Sequence, residues 1–168
     1  MKKLTLLIAL LLVVISTSAF AGAGASATAT ATATIVTPIG ITKSADMNFG
    51  NVATDGTVGT VVLTPAATRT ATGGVTLPAT AGTVAAASFA VTGSGTYTYA
   101  ITLPGSPITL TGTTAGVTAS TFTSTPSGTG ALVAGAQTLL VGATLNLPVS
   151  TVAGGYTSSA FTVTVNYN

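Results

Sequence analysis

The strongest constraint on how this chain can fold is a side-chain alternation of period two, clearest in the stretch GGYTSSAFTVTVNYN, Gly154–Asn168. Phe161, Val163, Val165 and Tyr167 alternate there with Thr162, Thr164 and Asn166. Successive side chains of a strand point to opposite faces, so the pattern describes a strand with one apolar and one polar face. The same period recurs upstream. In QTLLVGATLNLP, Leu139, Val141, Ala143, Leu145 and Leu147 fall on one face. SFAVTGSGTYTYAITLP reads as a hairpin: Phe89 and Val91, a Gly93-Ser94-Gly95 turn, then Tyr97, Tyr99, Ile101 and Leu103. Strands are expected near 26–36, 39–43, 58–64, 70–77, 86–92, 96–103, 107–111, 117–124, 137–147 and 156–167, bounded by Gly, Pro or Ser. The long polar helix formers are scarce beyond residue 21, where no Glu occurs and Lys43, Arg69 and Gln137 are the only Lys, Arg and Gln. Thr and Val, which suit a pleated surface, are abundant. The expected fold is all-β, a single antiparallel β-sandwich.

Residues 1–21 read as a secretory signal peptide rather than as part of that fold. Lys2 and Lys3 form a basic start, Leu4 to Ile15 an apolar stretch, and Ala19-Phe20-Ala21 a small-x-small cleavage site. The apolar run is too short for a retained membrane span, so no membrane insertion of the mature chain is expected. The next segment, residues 22–36, is an Ala/Thr-rich strand or arm. Ala recurs at 25, 27, 29, 31 and 33 and Thr at 28, 30, 32 and 34, and Gly and Pro are absent from 25 to 37. Ile35, Val36, Ile39 and Ile41 supply larger anchors, and Pro38 marks an edge or a kink. Residues 37–168 form the sandwich domain.

Charge excludes several classes of function. Without residues 1–21, Lys43 and Arg69 balance Asp46 and Asp55 to a net charge of zero. Nucleic-acid binding needs clustered Lys and Arg, and none occur. Charged residues are 4% of the chain, against roughly a quarter in ordinary soluble domains. Such a surface has little electrostatic protection against self-association. Catalytic groups are nearly missing as well. With no His, Cys or Glu, acid–base work would fall to Asp46, Asp55, Lys43 or a tyrosine. Asp46 reads as a loop residue, Asp55-Gly56 as a turn dipeptide, and Arg69 as a solvated edge or loop residue. No catalytic residue, cofactor or metal site is expected, and the protein is read as not an enzyme.

The C-terminal stretch resembles the last strand of chaperone–usher pilins, including the spore-coat-U-like group. Gly155, in Ala153-Gly154-Gly155-Tyr156, precedes an alternating strand in which Tyr167 is penultimate. A longer resemblance runs through ATIVTPIGITKSADMNFGNV, RTATGGVTLP, ASFAVTGSGTYTYAITLP, LLVGATLNLP and AGGYTSSAFTVTVNYN. Over roughly residues 30 to 168 the chain is similar to a bacterial family known only as a domain of unknown function, number four-four-zero-two. Together these resemblances imply an immunoglobulin-like or pilin-like sandwich, secreted through the periplasm to the cell surface or beyond. They imply a structural subunit of a pilus-like assembly, which self-associates into a homopolymer by strand addition. A periplasmic chaperone and an outer-membrane usher are the implied partners, though this chain lacks the disulfide that pilins often carry. The implied assembly residues are Ile35, Val36, Ile39 and Ile41 in the arm, and Gly155, Phe161, Val163, Val165 and Tyr167 in the last strand. The alternative reading is a self-contained secreted sandwich acting as an adhesive or binding module.

Overall fold

A computed structural model describes residues 24–168. The expected signal peptide and its cleavage site lie outside the described residues. The chain divides between Thr34 and Ile35, and the fold is that of Ile35–Asn168.

The described residues contain no helix and eleven strands: β1 (Gly40–Ala45), β2 (Ala53–Leu63), β3 (Arg69–Thr76), β4 (Ala87–Thr92), β5 (Thr98–Thr102), β6 (Ile108–Thr111), β7 (Thr118–Thr125), β8 (Thr129–Ala131), β9 (Ala136–Leu147), β10 (Thr157–Ser158) and β11 (Thr164–Tyr167). All pairings are antiparallel. The larger sheet runs β1-β4-β9-β7-β6-β10, with β2 and β3 joined to the far half of β9, and the smaller runs β11-β5-β8. The fold is thus all-β and sandwich-like.

β9 is the spine of the larger sheet. Its first half pairs β4, up to Ala87↔Val141, and its second half pairs β2, from Leu63↔Ala143, while β7 follows its other edge. The changeover falls on Gly142. A Cβ there would collide with the Leu63 carbonyl oxygen and lie 2.7 Å from the Thr64 carbonyl carbon. Backbone cannot swing aside as a side-chain tip can, so only glycine lets β2 end there.

The alternating residues of β9 are all buried, but they serve two cores. Leu139 and Val141 join Phe89, Val91, Tyr99, Leu132, Val163 and Val165, a core closed by the smaller sheet. Ala143, Leu145 and Leu147 join Val61, Val75, Leu110, Val117 and Ala119, every one of them on or next to strands of the larger sheet. No strand of the smaller sheet reaches this second core. Its cover comes from Met47, Phe49 and Val52 before β2 and from Tyr156 before β10.

Three expectations are corrected. Residues 24–39 carry no strand, so the expected strand over 26–36 is absent; an Ala/Thr segment gains little from burial, and no described strand pairs with it. Second, β4 and β5 do not form a hairpin: they lie in different sheets. The Gly93 N–H donates to the Gly135 carbonyl and the Gly135 N–H to the Gly95 carbonyl, which bends the connection across the sandwich. Third, the expected strand over 156–167 is broken. Thr157–Ser158 pairs with β6 of the larger sheet, whereas Thr164–Tyr167 pairs with β5 of the smaller. In that register the partner of Thr162 is Pro104, which has no N–H to extend the ladder.

Candidate functional site

Where the smaller sheet fails to cover the larger one, a cleft of about 1160 Å³ opens. Phe89, Ile108, Leu110, Val117, Leu145 and Leu147 are among the apolar residues that line it. One wall is Lys43–Thr54, running from the end of β1 into β2; the other is Thr151–Phe161, running through β10. The first wall is anchored by a bridge between Asn48 and Ala85 and by Arg69, whose guanidinium donates to the carbonyls of Phe49 at 2.5 Å and Asn51 at 2.8 Å. Tyr156 holds the second, donating to the Val152 carbonyl and accepting from the Thr114 N–H.

Beside the cleft, the end of β11 is tied to the chain ahead of β1. The Tyr167 hydroxyl donates to the Thr37 carbonyl at 2.8 Å and accepts the Ser94 N–H at 2.7 Å. The free edges of β1 and β11 approach each other there, without a ladder between them. Lys43 and Ala45 of β1 line the cleft, as do Ser158–Phe161 ahead of β11, while β11 itself does not. The opening is bordered by the free edge of β1 on one side and by Ser159–Phe161, which belong to no strand, on the other.

Charge contributes little to this site. Lys43 and Asp46, the charged residues lining the cleft, pair with each other at 2.7 Å while well exposed. An exposed pair of this kind contributes at most about 1 kcal/mol. Asp55 lies outside the lining and inside β2 rather than in the expected turn, next to Gly56 at φ 89°. The backbone N–H of Thr57 and then its hydroxyl hold the Asp55 carboxylate below its ordinary pKa. Among the described residues no three His, Cys, Asp or Glu side chains gather.

The residues singled out in the sequence divide between the site and the core. Phe161 lines the cleft and packs against Phe122, ring centroids 5.3 Å apart, and Phe89, 6.5 Å apart. Val163 and Val165 are buried in the first core, which Tyr167 flanks. Ile39 and Ile41 pack against this same core, within their own chain. Ile35, in contrast, is 96% exposed, and Val36 is half-buried. Gly155 lines the cleft but meets nothing that a Cβ would touch; the close approach falls on Gly112, where a Cβ would lie 2.7 Å from the Gly155 carbonyl. Met47, Phe49 and Leu110 were not singled out in the sequence, and Arg69, read there as a solvated edge or loop residue, instead starts β3 half-buried and holds the first wall. Ile108 and Leu110 fall in the strand expected over 107–111, but nothing in the chain signalled that they would lack a covering sheet.

No solved structure and no curated protein matches this chain. A family model does match, described as Domain of unknown function (DUF4402), over residues 39–167. The match includes both walls of the cleft and excludes the Ala/Thr segment before Pro38. Over that span, most of its length, the chain belongs to the DUF4402 family.

Proposed function

We propose that this protein is a non-enzymatic structural subunit of an extracellular, pilus-like assembly, in which an extended segment of one copy adds as a strand to the next. The observation that carries this reading is the apolar cleft bordered by the free edge of β1 and the unpaired stretch before β11, in a chain that also bears an exposed, unpaired Ala/Thr segment. An open edge over an apolar floor is the usual setting for strand addition, where main-chain hydrogen bonds give affinity and side-chain pockets give register. A head-to-tail contact of this kind does not close on itself, so it builds a filament. The signal-like start supports export, and the near absence of charge supports close packing among copies. A periplasmic chaperone and an outer-membrane usher belong to the same reading, as proteins that would shield the cleft before assembly.

The position of Ile39 and Ile41 narrows the donor. Because both pack on their own core, the segment free to leave is the part before Thr37, with Ile35 and Val36 as its large apolar anchors. The same packing favours the second reading, a self-contained adhesive module, should the segment before Thr37 prove idle. Deleting Gly24–Val36 tests the choice. Electron microscopy of the secreted wild type should show filaments, and the deletion should abolish them while leaving a β-rich circular dichroism spectrum. Filaments that persist without the segment would exclude it as the donor.

A further inference from the structure

We infer that the strand acceptor is the backbone of Ala160–Val163, and that its occupant is the segment Ala25–Val36 of a second copy. This rests on the strand-addition reading above and assigns its site. Ala160–Val163 make no backbone hydrogen bond among the described residues, although they lie between two paired stretches. Their side chains nevertheless keep the strand alternation of β11. Phe161 and Val163 turn inward and Thr162 outward, as Val165 and Asn166 do after them. The residues have the sequence and the side-chain order of a strand and lack only a partner.

The orientation of the backbone can be worked out. The Asn168 N–H donates to the Thr98 carbonyl, so Asn168, Asn166 and Thr164 direct their backbone groups at β5. In an antiparallel ladder the alternate residues point the other way. Val163, Val165 and Tyr167 therefore present N–H and C=O to the free edge that faces β1, and Phe161 continues the series. The other edge of β5 is already taken by β8. Neighbouring strands need about 4.7–4.9 Å of spacing. β1 and β11 are in contact with each other, which leaves no room for a third strand between them, whereas Ser159–Phe161, ahead of β11, line the open cleft.

The lining points to a polypeptide strand rather than a small molecule. At about 1160 Å³ the cleft exceeds the roughly 300–1,000 Å³ typical of pockets for drug-sized ligands. Its unsatisfied groups are main-chain donors and acceptors, which another main chain matches at the right repeat. The two charges on its wall neutralise each other, so an uncharged occupant leaves no charge unpaired. Ala25–Val36 carries no charge, no Gly and no Pro, forms no strand of its own, and ends in the exposed Ile35 and the half-buried Val36. Extended, its twelve residues would reach about 40 Å, more than enough to run along Ala160–Val163.

The chain has no cysteine, so engineered pairs report cleanly. Ser159→Cys or Thr162→Cys, both at exposed positions, would each be combined with Ala31→Cys or Thr32→Cys in the full chain and oxidised. The expected result is a ladder of covalent multimers, with at least tenfold less cross-linking when Val133→Cys, at a 74% exposed site away from the cleft, replaces the acceptor cysteine. In the unsubstituted protein, the Phe161 and Val163 amides should exchange with solvent at least tenfold more slowly in the assembled form than in the monomer. Filaments without selective cross-links or protection would overturn the acceptor site while leaving assembly intact. Cross-links confined within single chains would overturn the second copy as occupant. A wild type that never assembles would overturn the strand-addition reading itself.

Discussion

Tyr99 is fully buried, and its hydroxyl donates to Gln137 Oε1 at 2.7 Å. The same oxygen accepts the Ala131 N–H, so one amide side chain ties β5, β8 and β9 together. Burial pushes the Tyr99 hydroxyl above its ordinary pKa, because the ionised form would have to leave water. The unfolded chain ionises near about pH 10, before the folded one, so this group's stability is complete below that pH and is lost as pH rises toward the folded value. Tyr99→Phe should cost about 0.5–1.5 kcal/mol at pH 7. Urea titration should show the gap to wild type narrowing above about pH 10. Glycines provide a second check at this scale. Gly142→Ala forces a methyl into β2 backbone and should cost about 1–3 kcal/mol, whereas Gly155→Ala meets open space and should stay within about 0.5 kcal/mol. The role of Gly142 was not legible from sequence, because the atom it makes room for belongs to Leu63, far away in the chain.

At the scale of elements, the period-two pattern placed most strands and their inward faces correctly, including all five alternating residues of β9. It failed wherever a partner decided the outcome. Phe89–Leu103 has the composition of a hairpin, but Gly93 and Gly95 bond to Gly135 and β5 joins the other sheet. β8 is too short for a period to show. The final stretch has a continuous pattern but a broken ladder, since alternation records which face is buried and not which edge is paired. Its register is still testable. Phe161→Ala removes a ring that packs against Phe89 and Phe122 and should cost about 3 kcal/mol, while Thr162→Ala, on the outer face, should cost under about 0.5 kcal/mol. Thermal or urea unfolding of the two variants measures this difference, and the reverse order would mean that the face is misassigned.

For the whole molecule, the decisive feature is unequal cover. One core is closed by the smaller sheet; the other is closed by the segments around Phe49 and Tyr156 and opens into the cleft. The sequence foretold an all-β fold with little charge but not this asymmetry, which depends on the smaller sheet having only three strands. Because the cleft and Ala25–Val36 lack net charge, assembly driven by apolar contact and main-chain pairing should change little with salt between about 0.05 and 0.5 M. The most direct measurement is the solution mass of the purified protein by sedimentation velocity, followed over a wide range of concentration. Strand addition between copies requires the mass to climb with concentration into a series of multimers of the subunit. A single monomer mass at every concentration would contradict it.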